Sequence, residues 1–312
     1  MREFDETSVT AEVLRRLEAA PAPRAREIIG ALVRHLHAFV REVAPTEAEW
    51  AQAIDFLTRT GQMCDATRQE FILLSDTLGV STLVDAINNR FPPAATPSTV
   101  LGPFFVADAP RAALGADIDG GDGSGARLHV TAEIVDLAGA AIPGAVVDVW
   151  HADAEGFYDV QRDGGKRRAR RGRFTADGAG RVHFWTTMPA SYPVPHDGPV
   201  GEMLAATGRH AWRPAHVHFM IATPGYRRLV THVFVAGDRY LESDAVFGVK
   251  EALIAEYRAM PPGRAPDGTR MAAPYRTLAY RFVLTPEDPA GGKSPPAHRD
   301  GPRARHRSAR PR

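Results

Sequence analysis

The sequence predicts a mainly β protein, an antiparallel β-sandwich preceded by an N-terminal helical domain. Three observations predict it. Apolar residues recur at helical spacing through the first hundred positions. Beyond them, prolines and glycines punctuate short runs of alternating character. At least five such runs are joined by turn-rich connections rather than by helical crossovers, which favours a sandwich over a βαβ sheet. The expected boundaries are residues 1–100 for the helical domain, 101–286 for the sandwich and 287–312 for a disordered tail.

In chain order, Leu32, Leu36, Phe39 and Val43 mark an amphipathic helix. Thr46 to Glu49 and Thr67 to Glu70 each match a capping box, in which a threonine hydroxyl and a glutamate three residues on satisfy the free amides of a helix start. Trp50, Ile54 and Leu57 follow the first box at helical spacing, and Phe71, Leu74 and Leu78 follow the second. Each stripe is expected to be core, or otherwise an intersubunit face. After "FPPAATPSTVLGPFF" come the strand candidates "RLHVTAEIVD", "AVVDVWHA", "GRVHFWTT", "HVHFMIA" and "LVTHVFVA". Residues 246–259, "VFGVKEALIAEYRA", are expected to form a short helix between strands. The segment from Pro286 onward has almost no apolar content and reads as a disordered basic tail.

Composition narrows the function. With 38 basic and 37 acidic residues the formal charge is +1, which calls for neither a nucleic-acid nor a membrane partner. The single cysteine, Cys64, excludes an intrachain disulfide framework, an iron–sulfur cluster and a cysteine zinc site. The acidic start "MREFDETSVT" lacks the basic and apolar regions of a signal peptide, and no run approaches membrane-spanning length, so a cytoplasmic protein is expected.

Chemistry concentrates in three stretches. In "RPAHVHF", Arg213 to Phe219, alternation in a strand points His216 and His218 to one side and Val217 to the other, making a two-nitrogen metal edge. "WHADAEGFYDV" adds Tyr158 and "MPASYPVPHDG" adds Tyr192. Phenolates suit a hard ferric ion, which lowers the tyrosine pKa by its own charge. Two tyrosinates and two neutral imidazoles would leave one positive charge on such a centre, which a hydroxide would cancel. Taken singly, Tyr158 reads as a strand-end aromatic and Tyr192 as a turn tyrosine.

Together, "IPGAVVDVWHADAEGFY" and "GRHAWRPAHVHFMIATPGYRRLVTHVF" resemble the signature and metal-binding regions of the intradiol ring-cleaving catechol dioxygenases. The resemblance runs from about Leu32 to Leu284 and includes the helical part. It implies one Fe(3+) per chain held by Tyr158, Tyr192, His216 and His218, with Arg213 as the active-site arginine. It implies an aromatic diol or triol and dioxygen as substrates, the diol bound as a dianion and Tyr192 leaving the metal to accept a substrate proton. Arg213 would stabilise the negative charge that develops on the ring, the alternative being a sheet-edge arginine paired with a carboxylate. Where many catechol-cleaving members carry glutamine, this chain has His232, either a packed strand histidine or a titratable group that retunes the site or accepts the proton. The resemblance also implies a homodimer through the N-terminal helices, with lipid trapped between them, and hence a dimerisation domain followed by a catalytic one.

"FILLSDTLGVSTLVDAINNR" followed by "STVLGPFF" is most similar to the hydroxyquinol-cleaving branch. Leu73 and Asp76 share a helix face, and in that branch an acidic residue at the position of Asp76 lies in the pocket, where it accepts a hydrogen bond from the third hydroxyl of benzene-1,2,4-triol. Otherwise Asp76 is an exposed helix carboxylate. Val100, Leu101, Gly102, Pro103, Phe104, Phe105, Val194, Pro195 and Val246 match the remaining pocket positions, and their apolar character suits a flat ring. The expected function is thus intradiol cleavage of the triol, with catechol or chlorocatechol as the alternative substrate. A non-catalytic transthyretin-like sandwich would explain the strands but not Tyr192 with "RPAHVHF". A cupin would place glutamate soon after its H-x-H, where this chain has Met220, Ile221 and Ala222.

Overall fold

The computed structural model describes residues 3–65, 68–107, 109–120, 125–162 and 167–287. The chain divides into two compact units, residues 1–59 and 60–312. The tail from residue 288 onward, and Thr67 of the second capping box, lie outside the described residues.

The first unit consists of α1 (Val9–Leu17), α2 (Pro23–Val43) and most of α3 (Glu47–Gln62). Pro23 opens α2 where its missing N–H costs nothing, and Ala44 ends it in the left-handed conformation at φ 47°. At the start of α3, Glu49 N–H donates to Thr46 Oγ1 (3.2 Å) and Thr46 N–H donates to Glu49 Oε2 (2.8 Å), the reciprocal pair of a capping box. The apolar stripes differ from the core expectation. Leu32, Leu36, Phe39 and Val43 on α2, and Trp50, Ile54 and Leu57 on α3, are exposed, Phe39 at 58%. Their reason is physical: the only buried residues of α1 to α3 are Gly30 and Thr60, so among the described residues these faces are not covered by a packing layer.

In the second unit, α4 (Glu70–Thr77) and α5 (Val80–Asn88) precede the strands. On α4 the buried side chains are Glu70, Leu73, Asp76 and Thr77, whereas Phe71 and Leu78 are exposed.

Two sheets share one core. The first contains β1 (Arg127–Val135) and β4 (Arg181–Thr187), with β10 (Arg258–Met260) and β13 (Tyr275–Val283), in the order β10-β13-β1-β4. The second contains β2 (Val146–His151), β3 (Arg171–Thr175), β7 (His216–Ala222), β8 (Leu229–Val235) and β9 (Ile254–Ala255), in the order β3-β2-β7-β8-β9. Leu128, Val130 and Ile134 of β1 and Phe184 of β4 meet Val147 and Val149 of β2, Phe174 of β3, and Val217, Phe219 and Ile221 of β7. Pairing is mostly antiparallel, but β1·β13 and β8·β9 are parallel. Two short ladders, β5 (Tyr192–Pro193) with β6 (Trp212–Arg213) and β11 (Gly263–Arg264) with β12 (Arg270–Met271), complete the strands. A further helix, α6, covers Pro199–Ala206.

Residues 246–259 are not the expected helix. They form a single 3-10 turn at Glu251–Leu253, then β9 and the start of β10. The fully buried Leu253 sits on the turn, and Tyr257 Oη donates to the Val233 carbonyl at 2.9 Å, so tertiary contacts and edge pairing outweigh local helical spacing.

Candidate metal centre and active site

The centre grows from the outer face of the second sheet. Strand alternation sends Val217 and Phe219 into the shared core, and therefore His216 and His218 to the opposite face. A one-residue slip would reverse both sets at once, so burial of Val217, Phe219 and Ile221 fixes where the histidines point. Across the ladders, His218 pairs with Trp150 of β2 on one side and with His232 of β8 on the other. The Trp150 ring stacks on His218 with centroids 4.6 Å apart.

Loops deliver the two tyrosines. After β2 the chain turns on Asp153, whose Oδ1 accepts from Glu155 and Phe157 N–H. Gly156 then adopts φ 90°, and a Cβ there would lie 2.8 Å from that of Tyr192, so only glycine lets the two tyrosine-bearing segments approach. Tyr158 is stacked on Phe104 with centroids 4.4 Å apart. Behind it, buried Arg171 binds Asp159 at 2.6 Å and donates to the Phe104 carbonyl at 2.9 Å, pinning both loops to β3. Tyr192 is carried by β5, opposite Arg213 in β6.

The four groups converge. Tyr158 Oη lies 3.2 Å from Tyr192 Oη and 3.0 Å from His218 Nε2, and the two histidine Nε2 atoms are 3.1 Å apart. Ligands about 2.0–2.1 Å from a shared ion, at right to tetrahedral angles, lie about 2.9–3.4 Å apart, so this spacing suits one metal ion. The tautomers also suit it: His216 Nδ1–H donates to the Pro214 carbonyl at 2.7 Å and leaves Nε2 a lone pair. Burial, reinforced by Arg213, holds His216 neutral, its pKa well below the ordinary histidine value. Burial, with His232 and His216 adding to it, does the same to His218. Burial pushes the Tyr158 phenol well above its ordinary value, so this side chain becomes a phenolate only against a strong cation.

His232 completes a cluster of three imidazoles with His216 and His218, yet both its nitrogens are engaged. Nε2–H donates to the Val100 carbonyl at 2.8 Å, and Arg213 Nη2 donates to Nδ1 at 3.4 Å. Arg213 in turn donates through Nη1 to Tyr192 Oη (3.4 Å), and the same Nη1 lies 3.3 Å from His216 Nε2. Its other side meets Asp244, with Nε to Oδ1 at 3.0 Å. Burial opposes the guanidinium charge most strongly of any one influence, but Asp244 together with Tyr192 and Tyr158 outweighs it and the net shift is upward, so Arg213 is a permanent cation. Sequence reasoning missed Asp244, because nothing in "LESDAVFG" marks a carboxylate that Gly248 and Arg213 together enclose. His151 of "WHADAEGFY" stands outside the centre: it bridges the Ala152 carbonyl and Thr186, and burial lowers its pKa to about 4.

Of the remaining predicted positions, Leu73, Val100, Val194 and Val246 pack in one buried cluster, while Leu101 and Phe105 lie against the Tyr158–Tyr192 cluster. Gly102, at φ 75°, abuts His218, whose Cε1 a Cβ would meet at 3.2 Å. Pro103 and Pro195 are half-buried in the adjoining loops.

Asp76 is not an exposed helix carboxylate; it is 4% exposed. Burial raises its pKa above the ordinary 3.8, against the opposing effects of a Ser81 hydrogen bond and Arg213. A raised carboxyl pKa penalises the folded state above the unfolded value and leaves it unaffected below. Asp76→Asn is therefore expected to raise the thermal midpoint at pH 7, with the gain disappearing as the pH falls below about 3.8, as melting curves across that range will show.

Comparison with known proteins agrees with this geometry. Residues 100–286 match the family described as Dioxygenase, and residues 22–96 the one described as Catechol dioxygenase N terminus. The chain is 51% identical over 286 residues to 6-chlorohydroxyquinol 1,2-dioxygenase of Cupriavidus pinatubonensis, covering 92% of this chain and 99% of that one. It is 46% identical to hydroxyquinol 1,2-dioxygenase of Nocardioides simplex, over 90% and 96% of the two chains. The crystal structure of hydroxyquinol 1,2-dioxygenase from Pseudomonas putida superimposes with a TM-score of 0.84 at 48% identity, covering 90% of this chain and 99% of that one. With both halves matched and relatives this similar along nearly their whole length, the chain belongs to the intradiol catechol dioxygenase family, whose members use non-haem ferric iron.

Proposed function

We propose that this protein is a hydroxyquinol 1,2-dioxygenase, opening benzene-1,2,4-triol between its adjacent hydroxylated carbons with dioxygen. The observation that carries the reading is the convergence of Tyr158, Tyr192, His216 and His218 beside a permanently charged arginine. These four residues would hold one ferric ion per chain, which supplies Lewis-acid activation of the bound diol toward dioxygen. Tyr192 accepts the proton of a substrate hydroxyl, and its Oη stays within reach of Arg213 as it does so. Arg213 stabilises the negative charge that builds on the ring. His232, with both nitrogens engaged, acts as a positioning residue for Arg213 rather than as the proton acceptor. The cluster of Leu73, Val100, Val194 and Val246 takes the flat apolar ring. The buried Asp76 carboxyl gives the third hydroxyl a partner that catechol cannot use.

Steady-state turnover tests the reading. One dioxygen should be consumed per triol, giving 3-hydroxy-cis,cis-muconate or its tautomer maleylacetate, and catechol should turn over with lower kcat/KM. A product cut outside the two hydroxylated carbons would refute it.

The protein is further proposed to be a homodimer through the N-terminal helices, with lipid between them. The apolar faces of α2 and α3 support this, since exposed stripes of that length are rare on a monomer. Sedimentation at micromolar concentration should give twice the 33.9 kDa chain mass, and the protein should remain dimeric on deleting residues 287–312. A monomer would count against it. Among the described residues no helix is long and apolar enough to cross a membrane.

A further inference from the structure

A second group of metal-capable side chains lies on the other sheet, away from the strands that carry the iron ligands. His129 of β1 stands opposite Trp185 of β4, and His183 lies two residues earlier on β4, so all three share the outer face of that sheet. Asp267, in the turn between β11 and β12, lies over them, its Oδ2 3.8 Å from His129 Nε2. One donor atom from each of His129, His183 and Asp267 falls within 4.8 Å of the others.

We propose that His129, His183 and Asp267 form a second cation site, for a divalent transition metal such as Zn²⁺, which fastens the β11–β12 hairpin to the first sheet. His129 is 2% exposed, and neither of its ring nitrogens has a hydrogen-bond partner among the described residues; nor does the buried Nδ1 of His183. Buried imidazoles are ordinarily satisfied, so a group left open in this way points to a ligand. Direct pairing does not explain the arrangement, because 3.8 Å exceeds a hydrogen bond; a tetrahedral ion would draw the two atoms together to about 3.4 Å. The carboxylate is already oriented: Trp185 Nε1–H donates to Oδ2 at 2.7 Å and Thr269 N–H to Oδ1 at 2.9 Å. Burial keeps His129 neutral, its pKa lowered despite the neighbouring carboxylate, so its lone pair is available to a metal. Two imidazoles and one carboxylate, with solvent for the remaining position, are a donor set that zinc accepts.

The test uses full-length, iron-loaded protein. It is equilibrated with zinc chloride, desalted, and its zinc and iron per chain are measured, alongside calorimetric titration and melting curves. Wild type should retain one zinc per chain with iron content unchanged, and its thermal midpoint should rise with zinc. Asp267→Asn and His183→Ala should each weaken zinc binding at least tenfold and abolish the zinc-dependent rise, while keeping iron and turnover. His183 is only partly buried, so its replacement tests the site without hollowing the core. Zinc uptake unchanged in both variants, zinc gained only as iron is lost, or no zinc retained, leaving a structural water alone, would each overturn the proposal.

Discussion

Replacing Arg213 with alanine is expected to cost about 3–5 kcal/mol of stability and to abolish most turnover. Both Arg213 and Asp244 are buried, and removing the guanidinium leaves the carboxylate with two backbone N–H donors and no counter-charge. The loss also removes the donor shared by Tyr192 and His232, so two side chains of the centre lose one partner together. Denaturant unfolding of Arg213→Ala beside Arg213→Ala/Asp244→Ala checks the cause. The double variant should recover part of the stability but none of the activity. If the single variant unfolds like wild type, the pair is not the constraint its burial implies.

For substrate choice, Asp76→Ala should lower the triol-over-catechol ratio of kcat/KM by about tenfold or more. A hydrogen bond to a charged group carries roughly 1–3 kcal/mol, and only the triol offers the hydroxyl that makes it. Catechol should lose little, because the apolar wall acts on both rings alike. An unchanged ratio would reduce Asp76 to a buried carboxyl near Arg213 with no part in selection. Read with Asp76→Asn, the pair of variants separates function from folding: one measures recognition, the other the cost of burying the charge.

The sheet positions were legible in the sequence because strand alternation is a local rule. His216 and His218 flanking Val217 predict both the shared face and the core face, and the two sheets bear this out. The helix capping at Thr46 was legible for the same reason. What local rules could not reach were partners brought from distant segments. Asp244 meets Arg213 thirty-one positions away, and Arg171 joins Asp159 to the loop at Phe104, sixty-seven positions off. Residues 246–259 show the converse failure, since helical spacing there was overruled by the parallel pairing of β9 with β8 and by a turn around Leu253. The stripes of α2 and α3 were read correctly as amphipathic, but periodicity says only that a face must be covered, not that the same chain covers it.

The most direct measurement is the iron content and visible spectrum of the purified protein beside those of Tyr158→Phe. Wild type should hold about one iron per chain and be red-brown from phenolate-to-ferric charge transfer. Tyr158→Phe, lacking the phenol that stands 3.0 Å from His218 and 3.2 Å from Tyr192, should lose much of the iron and shift the band of what remains. A colourless wild-type protein, or a variant with the same iron content and the same spectrum, would contradict a centre built on Tyr158, Tyr192, His216 and His218.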